Sequence, residues 1–208
     1  MPSAPNTNRP PGRPRNWKPV IMVSSTVYGI ESLLNAIHGT LDGIGYKVWM
    51  SHKGSVPVHP RKSSFYNCLQ AVRNCDIFLG IITGRYGSGR RPGEFSITHR
   101  EVQEAITRDK LRWFLAHRDV VTARQILRQF QKKSGDWKKS FSLAKNPILD
   151  DIRIIDMYEA AIRQDLPLSH RTGNWVQPFL QPDEALQFLE EQFGDIQRIK
   201  DILQEDAS

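Results

Sequence analysis

A short apolar run followed at once by a glycine-rich turn constrains the fold of this chain most. Residues 77–82 read IFLGII, a run too short for a core helix and rich in Ile, which is typical of a strand buried on both faces of a parallel sheet. The turn that follows, residues 83–93, contains four glycines and the three arginines Arg85, Arg90 and Arg91. A strand that runs into a glycine-rich loop places a ligand at the carboxyl end of a sheet. The arginines suit an anionic ligand.

Polar side chains follow two of the predicted strands. Ser96 or Thr98 is expected to cap a helix that carries Glu101 and Glu104, and Glu101 would add one carboxylate beside the arginines. A first buried strand, residues 20–23, ends in three consecutive hydroxyl side chains at 24–26. Capping of the next helix explains one or two of these hydroxyls, whereas a run of three also suits contact with a phosphate or a ribose.

Strands and helices alternate through the first two thirds of the chain. Apolar periodicity predicts strands at 20–23, 46–50, 77–82 and 111–116, and helices at 28–41, 63–74, 96–109 and 119–133. This order implies right-handed crossovers and an α/β fold, a parallel sheet with helices on both faces. The residues after the first and third strands would then share the carboxyl edge of the sheet.

The C-terminal part of the chain is less regular. Residues 148–162 fit a strand or a helix, and residues 174–179 fit an edge strand because Pro178 cannot donate a ladder hydrogen bond. Pro182 opens a predicted helix to residue 203, whose apolar stripe is either a docking and self-association surface or a cover for its own sheet. The expected division is a disordered basic, Pro-rich leader at 1–16, an α/β domain at 17–133, and a C-terminal extension at 134–208 that completes the fold or mediates assembly.

Composition excludes several classes of protein. The formal net charge of the 208 residues is +7, but four of the cations lie in the first 18 residues, which favours a solvated basic tail over nucleic-acid binding. Cys68 and Cys75 are too few for a disulfide framework and make a poor zinc site, so we expect reduced thiols and no metal. The sequence shows neither a signal peptide nor a membrane span, and predicts a cytoplasmic protein.

Three motifs in sequence order resemble a TIR-like family. They are VSST at 23–26, NCDIFLGIITGRYG at 74–87, and SITHREVQEAI at 96–106, and the resemblance covers about residues 19–117. Members of this family are known only as a domain of unknown function, and often stand at the N-terminus of large bacterial NTPases and repeat proteins linked to phage defence. The family is in turn similar to TIR domains and nucleoside deoxyribosyltransferases, which are flavodoxin-like folds that cleave N-glycosidic bonds.

The resemblance implies an activity and a site. TIR enzymes split nicotinamide from NAD with a glutamate on the helix after the central strand, a position that matches Glu101, with Glu104 one turn later as the second candidate. His99 and Arg100 precede Glu101, so its carboxylate is expected to be partly ion-paired. TIR-like enzymes usually act as assemblies, so the resemblance also implies a homo-oligomer or a partner protein of a defence system. NAD would be the substrate, and no cofactor is expected.

The chemistry of N-ribosyl cleavage suits a single carboxylate. The transition state resembles an oxocarbenium ion, as in glycoside hydrolysis, but the nicotinamide leaving group is already a cation and needs no general acid. Arg85, with Arg90 or Arg91 as further candidates, would pair with a pyrophosphate. Tyr86 or Phe95 would stack on a base, unless Tyr86 serves only in packing. The expected ligand contacts are Ser24, Ser25, Thr26, Arg85, Tyr86, Gly87, Phe95 and Ser96.

Two further hypotheses stay open from the sequence. One is a non-catalytic module that binds a nucleotide signal or a protein, and the other is an enzyme similar to nucleoside deoxyribosyltransferases. Release of nicotinamide from NAD separates the NAD-cleaving enzyme from the binding module, and a panel of nucleosides tests the transferase. Glu101→Gln is expected to remove NAD cleavage and to leave the fold intact, with hardly any change in melting temperature, because replacing a surface glutamate costs little stability.

Overall fold

A computed structural model describes residues 17–87, 94–132, 136–138, 141–144 and 146–205. The strands are β1 (Val20–Ser25), β2 (Lys47–Trp49), β3 (Ile77–Ile82), β4 (Leu111–His117) and β5 (Val176–Phe179). The helices are α1 (Glu31–Ile44), α2 (Ser64–Asn74), α3 (Ile97–Thr107), α4 (Arg118–Leu127), α5 (Arg153–Ile162), α6 (Pro182–Phe193) and α7 (Ile196–Glu205). Single 3-10 turns lie at Ser51–Lys53, Arg128–Phe130 and Leu168–His170.

The five described strands form one parallel sheet in the order β2-β1-β3-β4-β5. This is the strand order of flavodoxin-like folds, and it confirms the predicted α/β class. Every residue of β3 is buried, as the continuous apolar run at 77–82 predicts for a central strand. The strand order changes direction between β1 and β3, so the ligand crevice of such a fold lies where these two strands end.

The two faces of the sheet carry separate apolar cores. Alternate residues of β1 and β3 point to opposite faces: Ile21 and Leu79 pack with α1, α6 and α7, whereas Met22 and Phe78 pack with α2, α3 and α5. Ser24 follows Met22 on the second face and pairs in the sheet with Gly80. The hydroxyl of Ser24 therefore points toward the side on which α3 lies.

The C-terminal part joins the same sheet and its core. β5 pairs with β4 at the edge, as predicted, and α6 packs against α1. The predicted single helix from 182 to 203 is wrong, because the chain breaks after Phe193 and α7 starts at Ile196. The side chain of Asp195 accepts a hydrogen bond from the backbone N–H of Arg198, which starts a new helix. The apolar stripe is turned inward, with Leu189, Phe193, Ile199 and Leu203 in the core.

Three other predicted boundaries need correction. α1 begins at Glu31 rather than residue 28, because Tyr28 and Gly29 form a turn in which Gly29 has a φ of +88°. The helix predicted at 119–133 ends at Leu127 and passes into a 3-10 turn. Residues 148–162 contain no strand, and the last ten residues of the segment form a helix, α5. None of the helices within the described residues is long and apolar enough to cross a membrane.

Candidate functional site

A buried carboxylate and a buried hydroxyl meet where β1 ends. Ser24 is the fifth residue of β1, and Glu101 lies in the second turn of α3, which packs over β1. The hydroxyl of Ser24 donates a hydrogen bond to Oε2 of Glu101 at 2.5 Å. Ser24 is 2% exposed and Glu101 is 4% exposed. Two motifs that are 77 residues apart in sequence thus form one contact inside the protein.

A thiol from α2 is the second partner of the same carboxylate. Cys68 is buried on α2 beside Glu101, and its thiol lowers the pKa of that carboxyl. Burial raises the pKa of the Cys68 thiol to about 12, so the thiol is protonated and able to donate. Among the described residues, no cation forms a salt bridge with Glu101, although His99 and Arg100 were expected to do so. Arg100 lies over the ring of Phe95, and His99 contacts Tyr86 instead.

The environment of Glu101 favours its protonated form. Burial raises its pKa from the usual 4.5 to about 7, and the hydrogen bond from Ser24 and the neighbouring Cys68 thiol only partly oppose this shift. The folded protein therefore binds a proton at Glu101 in the pH range from 4.5 to 7, in which the unfolded chain has released it. Stability is highest below pH 4.5 as far as this group is concerned, and falls as the pH rises through 7. Above pH 7 the free energy of unfolding is lower than below pH 4.5 by an amount on the order of 3 kcal/mol.

This burial changes one expectation from the sequence. A surface glutamate can be replaced by glutamine with little change in stability, and that argument predicted an unchanged melting temperature for Glu101→Gln. Glu101 is not a surface residue, so removing its charge is expected to stabilise the fold at neutral and alkaline pH. A group that costs stability when ionised is a candidate for a functional role.

Glu104, the second candidate, has a different environment. Its Oε1 accepts from Nε of Arg73 on α2 at 2.7 Å and from Nε of Arg108 at 2.5 Å. These hydrogen bonds hold the pKa of Glu104 below its usual value. Glu104 thus connects α2 to α3 as a paired carboxylate, and it makes no described contact with Ser24.

The loops that follow β1 and β3 touch each other beyond Ser24. The hydroxyl of Thr26 donates to the backbone oxygen of Arg85 at 2.9 Å, and Ser25 donates to the backbone oxygen of Thr26 at 3.0 Å. Gly87 has a φ of +86°, and a Cβ there would lie 3.1 Å from Oγ1 of Thr26. The structure therefore brings Thr26, Arg85 and Gly87 together at the carboxyl edge, in contact across the β1/β3 boundary.

Arg85 is a described cation at this edge of the sheet. Its side chain is half-buried, and no carboxylate among the described residues pairs with it. Arg90 and Arg91, the other two arginines of the turn, lie outside the described residues. The prediction that they contact a pyrophosphate stays a prediction.

Tyr86 is placed in the interior rather than at a stacking surface. Its ring is 1% exposed, its hydroxyl lies 2.8 Å from Nδ1 of His99, and the guanidinium of Arg153 covers its ring at 4.4 Å. Burial lowers the pKa of His99 to about 4, so this histidine is neutral near pH 7. Phe95 is half-buried against His99, with ring centroids 4.5 Å apart. Tyr86 and Phe95 therefore both pack against His99.

Ser96 has the local role that the sequence predicts. It is the N-cap of α3, and its side chain accepts a hydrogen bond from the backbone N–H of His99 at 3.2 Å. The alternative cap, Thr98, lies inside the helix. The cap sets where α3 begins, and so directs Glu101, five residues later, inward over β1.

A segment from the C-terminal half crosses the end of β3, and sequence analysis missed it. The backbone N–H of Asp150 donates to the oxygen of Gly84 at 3.0 Å, and the carboxylate of Asp150 accepts from the N–H of Tyr86 at 2.8 Å. Arg153 pairs with Asp151 and donates to the backbone oxygen of Glu94. Gly84 was the one sign of this crossing in the sequence, because the backbone at Ile148 approaches too closely for a Cβ at position 84.

The described residues hold no group of three or more His, Cys, Asp or Glu side chains that could bind a metal ion. The site contains the Glu101 carboxylate, its hydrogen-bond donor Ser24, and Arg85 in the loop after β3. A carboxylate that shares no salt bridge and has a pKa near 7 is able to stabilise a cation or to accept a proton at neutral pH.

Comparison with known families identifies the larger part of the chain. The family model described as "Domain of unknown function (DUF4062)" matches residues 20–167, and the chain belongs to this family. No curated protein matches the chain. The matched range extends past the end of the sequence resemblance at about residue 117, and includes the segment around Asp150 that crosses β3. β5, α6 and α7 lie beyond the matched range.

Proposed function

We propose that this DUF4062 protein is a TIR-like enzyme that hydrolyses the bond between nicotinamide and ribose in NAD. The observation that supports the proposal most is the buried Glu101 carboxylate, hydrogen-bonded to Ser24 at the β1/β3 boundary and lacking a salt bridge to any described residue. Ligands bind at this boundary in folds with this strand order. The resemblance of the three motifs to TIR-like proteins adds the substrate class and a role in anti-phage defence.

The proposed reaction uses ionised Glu101. The C1′–N bond breaks with its electron pair moving to the ring nitrogen, so that neutral nicotinamide leaves and the ribose becomes an oxocarbenium ion. The carboxylate stabilises that cation in surroundings from which water is largely excluded, where a charge has a larger effect than in solvent. Water then adds to C1′ and releases a proton. Ser24 and Cys68 hold the carboxylate in position, and Arg85 pairs with the pyrophosphate.

The substrate has to reach a carboxylate that is closed off in this structure. The hydrogen bond from Thr26 to Arg85 lies beyond Ser24, at the carboxyl edge of the sheet. It would have to break for NAD to reach Glu101. Neighbouring subunits often order or complete the pocket of TIR-like enzymes, so assembly is the proposed cause of opening. Activity should then rise faster than linearly with protein concentration.

Incubation of the purified chain with NAD tests the proposal through release of nicotinamide. A nucleoside panel run in parallel distinguishes NAD cleavage from a deoxyribosyltransferase-like activity. A non-catalytic nucleotide-binding module is the second candidate, favoured by the burial of both Glu101 and Tyr86. That candidate predicts that NAD raises the melting temperature without being consumed, at every protein concentration.

The pH dependence of NAD cleavage should reflect the ionisation of Glu101. Because the ionised form is the active one, kcat/KM is expected to rise about tenfold per pH unit below pH 7 and to level off above it. The measurement is nicotinamide release between pH 5.5 and 8.5 at constant ionic strength. A flat profile across this range would contradict the assignment of Glu101.

Cys68 offers a matched pair of variants for the same profile. Cys68→Ala removes a hydrogen-bond donor to Glu101, so the midpoint of the profile should move to higher pH. Cys68→Ser keeps a donor and should leave the midpoint close to that of the wild type. Equal midpoints for the alanine variant and the wild type would show that the thiol does not act on Glu101.

A further inference from the structure

The positive charge of the chain is concentrated in one stretch. Residues 118–145 contain eight Lys and Arg side chains and two Asp, a net formal charge of +6, against +7 for the whole chain. The first 18 residues contribute four more cations and no acid. The remainder of the chain is therefore net negative. A charge asymmetry of this kind favours a surface for a polyanion over a uniformly solvated exterior.

Part of this stretch forms a small hairpin attached to α5. Gln131 pairs with Trp137 in an antiparallel bridge, and Lys132 N–H donates to the oxygen of Asp136 at 2.8 Å. Nε1 of Trp137 donates to Asp156 at 3.1 Å, and Nε2 of Gln131 donates to Glu159 at 3.1 Å. Both acceptors lie on α5, so the hairpin has a defined position on the protein surface. We refer to the described residues of 128–141 as the aromatic hairpin.

Three rings stack along the aromatic hairpin. The centroids of Phe130 and Phe141 are 4.9 Å apart with their planes at 24°, and those of Phe141 and Trp137 are 5.3 Å apart at 28°. Phe141 is the middle ring, and Trp137 at one end is fixed by its bond to Asp156. Phe130 is the other end of the stack and is 37% exposed. A further flat ring could continue the stack on Phe130.

Three exposed cations lie close to Phe130 along the hairpin. Arg128 and Lys132 flank Phe130 in sequence, and Lys138 N–H donates to the backbone oxygen of Phe130 at 2.9 Å across the hairpin. No described carboxylate forms a salt bridge with any of these three side chains. Nζ of Lys138 is held by the backbone oxygen of Gln129 at 2.6 Å. An open aromatic face with unpaired cations around it is the combination that single-stranded nucleic acids bind.

We propose that the aromatic hairpin binds single-stranded nucleic acid, with one unpaired base stacked on Phe130 and phosphates paired with Arg128, Lys132 and Lys138. The strand must be unpaired because a base inside a duplex has no free face for the ring. The site lies beyond α4, separate from Glu101, and does not depend on the NAD-cleaving activity. Recognition by one base and a few phosphates predicts weak binding with little sequence preference.

The test is fluorescence anisotropy of a labelled oligo(dT) of about 12 nucleotides with the full chain at low salt. With three phosphate contacts, the slope of log K against log salt should be about −2. Phe130→Ala should weaken binding roughly 5- to 100-fold, because it removes one stacked base. Arg128→Gln/Lys132→Gln should weaken binding and reduce the slope to about −0.7.

Two matched variants keep the test specific to the hairpin. Lys53→Gln/Arg61→Gln removes two exposed cations from the β2–α2 connection and should bind as the wild type does. Arg9→Gln/Arg13→Gln/Arg15→Gln tests the basic N-terminal residues in the same way. Undetectable binding, an unchanged affinity in Phe130→Ala, or a loss confined to the N-terminal variant would overturn the proposal. Equal affinity for duplex DNA or for anionic vesicles would also overturn it, because a general cationic surface explains both.

Discussion

Glu101→Gln is expected to lower NAD cleavage by at least 10²- to 10³-fold and, at the same time, to raise the melting temperature at pH 8. The first effect follows because glutamine has no negative charge to stabilise the oxocarbenium ion, and loss of one such group costs about this factor. The second follows because burial penalises the ionised carboxylate, whose pKa is raised to about 7. The variant keeps the shape of the side chain and removes the penalty.

The pH dependence of the melting temperature separates this account from a general stabilisation. At pH 8 the increase should be several degrees, since a chain of about 200 residues gains about 2–4 °C per kcal/mol. At pH 4.5 the difference should nearly vanish, because Glu101 is then protonated in the folded protein. An equal increase at both pH values, or a decrease at pH 8, would contradict the buried and unpaired state of the carboxylate.

Glu104→Gln is the matched control for both effects. It removes a carboxylate one turn away on the same helix, but leaves Ser24 and Glu101 untouched. Its activity should stay near that of the wild type, and its stability should fall slightly because Arg73 and Arg108 lose their partner. If Glu104→Gln loses NAD cleavage and Glu101→Gln keeps it, the role belongs to Glu104.

Gly84→Ala is expected to destabilise the fold by about 3 kcal/mol or more, the largest effect on stability among our predictions. A Cβ on Gly84 would lie 1.8 Å from the backbone oxygen of Ile148, so the two segments would have to separate. Separation would also break two hydrogen bonds, the one that Asp150 N–H donates to Gly84 and the one that Asp150 accepts from Tyr86 N–H. The melting temperature should fall by roughly 6–12 °C.

Gly39→Ala provides the comparison for a glycine without such a neighbour. Gly39 lies in α1, and a Cβ there would have no atom within 4 Å. Alanine should stabilise this position by about 0.5–1 kcal/mol, since glycine is a poor helix former. Thermal unfolding of both variants at one pH checks the pair. A melting temperature of Gly84→Ala within 2 °C of the wild type would mean that the segment at 148–150 does not cross β3 as described.

The sheet was predictable because its strands carry local signals. The six-residue run at 77–82 contains no polar side chain, and Pro178 marked the edge strand without reference to the rest of the chain. The alternation of strands and helices predicted a parallel sheet with helices on both faces, but it does not determine the order of the strands. The break between α6 and α7 was harder to find, because Leu189, Phe193 and Ile196 keep a helical spacing across Gly194 and Asp195. Only the cap on Asp195 divides them.

The environment of Glu101 could be predicted only in part. The motifs placed Ser24 and Glu101 at the same edge, and the structure shows their side chains in contact. The burial of Glu101 was not predicted, because the sequence analysis treated it as a surface residue, whereas it lies with Thr98 and Ala105 on the buried side of α3. The contribution of Cys68 was not readable, since α2 and α3 meet only in the folded chain. Asp150 and Arg153 are likewise brought in by a long connection that leaves no periodic signal.

The most direct test of the central claim is a chromatographic time course of NAD with the purified full chain and its Glu101→Gln variant. The assay follows nicotinamide and ADP-ribose at pH 8 over a range of protein concentrations, and folding of both proteins is verified by thermal unfolding. The account predicts equal amounts of the two products from the wild type, with a rate per subunit that rises with concentration, and a loss of at least 100-fold in the variant. A folded wild-type protein that leaves NAD intact at every concentration, or a variant that cleaves it at the wild-type rate, would contradict the account.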